Sequence, residues 1–418
     1  MAIPLDTIDE RPNTVEFAAG RVFYGISDRV YYSQLVEDKS IKFIAKCYQK
    51  NDPTSSEASD ILATDGGVIP LSEARNLIKI IEFRNGVLLF ASNGVWALQG
   101  PDTGFTATSF AVTRVTGAGC IDQYSVVAVE DNVYYWSNEG IYEIGVNEFG
   151  RIVAQNITNT TIRTFYNAIN KTDISAVYDA ENKTVEWFYS SADKSSAGVA
   201  HHGKDKSLLL DLQTGGFFPQ AYGTTTTTGT GASILWGGFQ IQENGEVNYL
   251  AFRTLGSASN LLISWQLATR DANDFLDLTT SPQLAYIKTA YDNLELPSRE
   301  KTAVYVVTNF QRTEDGFVLQ NDNLVARNPS SCIMQAQWNY ANTDAGGKFA
   351  PTQQVYRYPR PYTPVDVNDP FDTGDTVITT KNKVRGRGKA ISLEFKQEAG
   401  KDFQLLSYTM EFTVNGRL

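Results

Sequence analysis

The chain has 418 residues, enough for two or three domains with cores of their own. Its 36 Lys and Arg against 47 Asp and Glu leave a net charge of −11, which excludes a broad attraction to nucleic acid or anionic lipid and leaves only local contacts with either. Three cysteines, Cys47, Cys120 and Cys332, are too few and too scattered for a disulfide framework and match no zinc spacing, so reduced or simply buried thiols are expected.

The start, MAIPLDTIDERPNTVEF, carries no basic segment followed by an apolar one, and no window of the chain approaches about eighteen uninterrupted apolar residues. The sequence therefore predicts neither a secretory leader nor membrane insertion. Strands begin at once. RVFYGISDRVYYS, Arg21 to Ser33, is an apolar run, a polar turn and a second apolar run. The same unit returns as GVLLFASNGVWALQG, Gly86 to Gly100, and as NVYYWSNEGIYEIG, Asn132 to Gly145. The last two align at an offset of 46 residues (Gly86 to Asn132), with Val87, Gly94, Val95, Trp96 and Leu98 at the places of Val133, Gly140, Ile141, Tyr142 and Ile144. Further hairpins are expected at ISAVYDAENKTVEWFYS with its turn near Glu181 and Asn182, at SLLLDLQTGGFFPQAY with its turn at Gly215 and Gly216, and at GGFQIQENGEVNYLAF with its turn at Asn244 and Gly245. Helical spacing is scarce: Ile162, Phe165, Tyr166 and Ile169 predict one short helix within Thr158 to Asn170, with a Thr or Asn as its cap.

A small sheet that recurs along the chain cannot bury both faces alone, so successive sheets stack and a ring of them forms a propeller. The fold class read from the sequence is thus all-β, with a β-propeller over residues 1–252, five or six blades and incomplete. A large sandwich of several hairpins is the alternative, because no regular glycine period and no Gly-His…Trp-Asp pairing is present. Beyond residue 252 the connections lengthen and become polar and Pro-rich, as in RYPRPYTPVDVNDPFDTGD, which predicts a second, β-sandwich-like domain over 253–418. Its last strands, KAISLEFKQEAGKDFQLLSYTMEFTV, are expected to pair as a hairpin with the turn at Ala399 and Gly400.

Four stretches in order carry a family resemblance: FAAGRVFYGISDRVYYSQ, then NGVLLFASNGVWALQGPD with VTRVTGAGC, then NVYYWSNEGIYEI, and finally RGRGKAISLEFKQEAGKDFQLLSYTMEF. Together they resemble the nozzle, or DNA-stabilisation (tail hub), proteins of short-tailed bacteriophages. The resemblance implies a non-enzymatic structural protein of the virion, assembled in the host bacterial cytoplasm. It implies a homo-oligomeric, hexameric ring below the portal and adaptor proteins and above tail spike, fibre or needle proteins. Such a ring continues the DNA exit channel, lets double-stranded DNA pass during ejection and helps to retain packaged DNA. The chain enters its first blade almost directly and is shorter than the larger members of that family, so a missing blade is expected to come from another subunit or a separate protein.

The rival readings are a carbohydrate-active propeller, glycosidase-like or sialidase-like, and a receptor-binding adhesin. A glycosidase needs two facing carboxylates, and 47 acidic residues make their presence uninformative. NTDAGGKF, Asn342 to Phe349, is similar to the Asp-box turn of sialidases, a structural motif that here occurs once and outside the expected propeller. The histidines, His201 and His202, are adjacent, so in a strand they would point to opposite faces and could not jointly hold a metal. No catalytic residues, cofactor or metal are therefore assigned. The threonine run GTTTTTGTGAS, Gly223 to Ser233, reads as a loop or as a polar strand pairing with a neighbouring subunit. The one contact candidate is KNKVRGRGK. Lys381, Lys383, Arg385, Arg387 and Lys389 alternate with other residues and in an extended chain share one face, where they could touch DNA phosphates or another subunit; a solvated loop into the next strand is the alternative.

Overall fold

The computed structural model describes residues 11–36, 61–101, 104–171, 174–180, 182–190, 206–221, 233–240, 247–255, 259–265, 285–311, 317–320, 323–326, 330–341, 346–358, 377–398 and 403–414. Positions 44, 46–48, 204, 343, 344 and 401 are described besides, and within 330–341 and 346–358 the description is unbroken. The chain forms two units, Met1–Gln266 and Leu267–Leu418.

The first unit is built from antiparallel meanders. Strands β1 (Thr14–Ala18), β2 (Arg21–Ile26), β3 (Arg29–Tyr32) and β4 (Gly67–Pro70) make the first sheet. The second is β5 (Leu77–Phe83), β6 (Gly86–Ala91), β7 (Gly94–Gln99) and β8 (Ala111–Thr116). The third is β9 (Val127–Val129), β10 (Asn132–Ser137), β11 (Gly140–Val146) and β12 (Ile152–Asn156). The fourth is β13 (Ser175–Asp179), β14 (Thr184–Tyr189), β15 (Lys206–Asp211) and β16 (Gly216–Ala221). A three-stranded fifth follows, β17 (Ser233–Gln240), β18 (Val247–Leu255) and β19 (Ser259–Trp265).

Why these sheets stack is visible in the strands themselves. Side chains of a strand alternate between faces. In β6 both faces are buried: Val87, Leu89 and Ala91 enter a core shared with Phe23, Val30 and Tyr32 of the first sheet. Leu88 and Phe90 enter another with Val133, Tyr135 and Ile144 of the third. In β10 the alternation repeats one sheet later. Val133 and Tyr135 look back, while Tyr134 and Trp136 pack with Val185, Trp187 and Leu208 of the fourth sheet. β17 lies against β13 and β14. Unbroken apolar runs such as VLLF and VYYW are therefore the mark of a sheet covered on both faces. Serial stacking of four-stranded meanders is the blade arrangement of a β-propeller, here with five sheets among the described residues.

The 46-residue repeat is structural. Ala91 pairs with Gly94 and Ser137 with Gly140, each across a two-residue turn. Both glycines are required by dihedral angle and by crowding together: φ is +157° at Gly94 and +156° at Gly140, a conformation that residues with a Cβ rarely adopt. A Cβ on Gly94 would sit 2.7 Å from the Thr116 carbonyl of β8, and one on Gly140 would sit 2.4 Å from Thr158 Oγ1, just beyond β12. The hairpin β15–β16 closes with Asp211 opposite Gly216, so the turn is Leu212–Gly215 and Gly216 already belongs to the strand. The loop holding Asn244 and Gly245 lies outside the described residues, although β17 and β18 pair as expected. The helix α1 is shorter than its spacing predicts, Arg163–Ala168. Its N-cap position is Ile162, whose aliphatic side chain offers no acceptor, and the Thr158 hydroxyl is used elsewhere: it accepts from Ile141 N at 3.2 Å and donates to Asn156 Oδ1 at 2.8 Å.

The second unit is a sandwich of two four-stranded sheets, with a separate two-stranded ribbon, the pair Phe317–Gln320 and Asn323–Ala326. Its strands are β20 (Tyr286–Lys288), β21 (Lys301–Gln311), β22 (Phe317–Gln320), β23 (Asn323–Ala326), β24 (Ser330–Trp338), β25 (Gln353–Tyr358), β26 (Val377–Lys383), β27 (Arg387–Gly388), β28 (Ile391–Gln397) and β29 (Gln404–Val414). One sheet has the order β20-β28-β24-β25; in the other β21 pairs β26 and β27 on one side and β29 on the other. Ala303, Val306 and Phe310 of β21 pack against Met334, Trp338, Tyr356, Leu393 and Phe395 of the opposite sheet. Phe310 and Tyr356 stack with ring centroids 4.6 Å apart.

Two sequence expectations are corrected here. The boundary at 252/253 falls inside β18, which continues to Leu255 and pairs with β19, so the first unit extends to Gln266. The last two strands are not a hairpin either: β28 lies between β20 and β24, whereas β29 pairs with β21 in the other sheet. The chain crosses from sheet to sheet there, because each strand fills the vacant side of a different layer of one core.

Candidate functional site

The basic segment expected from the sequence runs out of β26 and into β27. Its backbone is fixed from below. Trp338 Nε1 donates to the Arg385 carbonyl at 3.3 Å, and Gly386, at φ +114°, lies so close to the indole that a Cβ would come within 2.3 Å of Nε1. Only glycine suits that conformation and that approach. Lys389 N donates to Asn339 Oδ1 at 2.7 Å, and β27 pairs with Lys301 and Thr302 of β21. The five cationic side chains meanwhile are exposed.

They are not equivalent. Lys381 is already engaged: its ammonium pairs with both Glu411 oxygens, at 2.7 and 3.0 Å, and lies 4.5 Å over the Tyr305 ring. Lys383, Arg385, Arg387 and Lys389 form no ion pair with a described residue. Lys383 and Arg385 also line a cleft of about 290 Å³, whose other lining comes from Met334 and Ala336 of β24, Val384, and the stretch from Ala350 to Gln353 that leads into β25. The alternation read from the sequence therefore brings Lys383 and Arg385 to one feature.

Two further cations escaped the sequence reading because they are buried. Lys301 is 1% exposed and its ammonium donates to the carbonyls of Asn293, Leu296 and Lys389. Burial pushes its pKa down, and the nearby Asp292 opposes that shift. Arg21, also 1% exposed, donates to the carbonyls of Ser33, Ala63 and Asp65 and lies 5.7 Å from the ring centres of Tyr32 and of Phe105. Burial likewise lowers its pKa. Both hold a loop to a strand by saturating carbonyls. The available signal was phase: Arg21 alternates in step with Phe23, and Lys301 with Ala303, both core residues.

Elsewhere the chemistry is structural. Cys47, Cys120 and Cys332 are buried free thiols, each pushed up to about 12, mainly by burial. In the Asp-box-like turn Asp344 Oδ1 accepts from Phe349 N at 2.9 Å, closing the loop after β24. Among the described residues no group of three or more His, Cys, Asp or Glu side chains is placed to hold a metal, and no helix is long and apolar enough to cross a membrane. His201, His202 and all of the threonine run but Ser233 lie outside the described residues.

No family model matches the chain and no curated protein does. Solved structures similar to it include a Trichoderma reesei carbohydrate-active enzyme of family AA12, at 13% identity and TM-score 0.28, over 46% of this chain and 53% of that one. The chain thus spans about half the length of that enzyme. Others are Kluyvelomyces marxianus Hsv2, at 8% identity and TM-score 0.29 over 74% of this chain and 80% of that one, and a Lactobacillus plantarum protein, at 11% identity and TM-score 0.32 over 75% and 83%. At these scores the similarity carries no argument about activity, and the fold rests on the sheets themselves.

Proposed function

We propose that the chain is a non-enzymatic, ring-forming structural subunit of a short phage tail, stacked below portal and adaptor proteins around the path of the DNA. The order of the nozzle-like stretches and the succession of blades and sandwich support this reading. The observation that carries it is the outer face of the first sheet. Its inner face is closed by the second sheet, and part of its outer face by the segment around Cys47, yet Val15 is 55% and Phe17 56% exposed on β1. Large apolar side chains side by side on an edge strand are a surface that another chain would cover.

Replacing both by aspartate (Val15→Asp, Phe17→Asp) tests the reading. Because the two side chains face solvent in the single chain, folding and melting temperature should be unchanged while ring assembly is lost. Unimpaired assembly of the double variant would contradict the reading.

A further inference from the structure

The cleft bounded by β24, β25 and residues 383–385 combines features that neither a solvated loop nor a packing defect requires. Met334, Ala336 and Val384 back it as buried core side chains, while Lys383 and Arg385 are exposed in its lining with no carboxylate of a described residue paired to them. They stand two positions apart, close enough for both to serve one anionic group. Cations that no described carboxylate pairs are, on a chain of net charge −11, a local exception to its electrostatics. At about 290 Å³ the cleft has room for a side chain or two, not for the convex backbone of a duplex to enter.

We infer that this cleft is an anion-binding subsite that takes a carboxylate on a short apolar stem, an Asp or Glu side chain presented by a second copy of this chain. The carboxylate is shared by Lys383 and Arg385, and its stem lies in the cleft beside Thr352 and Gln353. A second copy suits it on charge: with 47 acidic and 36 basic residues, each chain offers a surplus of carboxylates to any cation left unpaired on its neighbour. The identity of the occupant rests on the ring reading above; the chemistry of the cleft does not.

The Trp338 indole reports on the cleft wall, because its N–H is donated to the Arg385 carbonyl. In the full ¹⁵N-labelled chain its cross-peak, assigned through Trp338→Phe, would be followed during titration with glutarate, inorganic phosphate and a short DNA duplex. Sedimentation velocity would be run in parallel at low and high salt. A saturable shift with glutarate is expected, abolished in Lys383→Gln/Arg385→Gln and retained in Lys389→Gln, whose side chain does not line the cleft. The double variant should also self-associate at least about tenfold more weakly. Absence of a saturable glutarate shift, or its persistence in the double variant, would overturn the subsite. A response to the duplex but not to glutarate would overturn it in favour of phosphate contacts. A glutarate shift lost in the double variant together with unchanged self-association would overturn the second copy as occupant and leave the ring reading standing. A chain that stays monomeric while its glutarate shift is intact would instead remove the ring reading.

Discussion

Trp136 and Trp187 occupy the same aromatic layer, are fully buried and lie with ring centroids 6.3 Å apart, but their indole N–H groups differ. Trp187 Nε1 donates to the Ser125 carbonyl at 3.0 Å, whereas Trp136 Nε1 is buried without a partner. Replacing either by phenylalanine removes a similar volume. Trp187→Phe should cost about 1–2 kcal/mol more than Trp136→Phe, because it orphans a carbonyl while the other removes an unsatisfied donor. Urea unfolding of the two variants measures the difference. Lys301→Met leaves three carbonyls without their shared donor and should destabilise the sandwich by about 2–4 kcal/mol. The buried thiols set a pH dependence. Their folded pKa of about 12 stands above the ordinary 9.0, so the native state holds protons that the unfolded chain releases. Stability is whole below pH 9 and falls as pH rises from there toward 12. Melting temperatures taken upward from pH 9 should fall less steeply in Cys47→Ala/Cys120→Ala/Cys332→Ala.

Local pairing was legible in the sequence wherever a polar turn sits between two apolar runs. The hairpins β6–β7 and β10–β11 fall where the repeat puts them, and their glycines combine a positive φ with room for the following strand to approach. Gly94→Ala forces a Cβ against the Thr116 carbonyl, a backbone atom with little room to yield, and should cost about 1–3 kcal/mol. Sheet membership was not legible, because it is decided by partners distant in sequence. The turn near Gly400 has the composition of a hairpin, yet β29 belongs with β21, about a hundred residues earlier, as a register from Lys301↔Val414 to Gln311↔Gln404 shows. The unit boundary was missed for a local reason: GSASN after Leu255 is itself a turn signal, and it leads into β19. A fragment ending at Gln266 should therefore fold cooperatively, whereas one ending at residue 252 cuts β18 and should aggregate or melt broadly. In the candidate cleft, the alternation of the cations was readable from spacing; the pairing of Lys381 with Glu411 and the juxtaposition with β24 and β25 were not, since both come from strands far along the chain.

At the scale of the molecule, a stack of sheets gives every inner blade two neighbours and leaves the outer face of the first blade to another surface. The proposed contacts between chains rest on two features, the exposed apolar side chains on β1 and the cations at the sandwich cleft that no described carboxylate pairs. A structural subunit of this kind should turn over no glycoside or ester substrate, and robust hydrolysis abolished by a single Asp or Glu substitution would show otherwise. The most direct measurement is negative-stain imaging of the full purified chain, with sedimentation equilibrium of the same sample to fix its mass. A closed ring of identical subunits around a central channel, with the corresponding mass, is the result expected. A stable, soluble monomer at every concentration would contradict it.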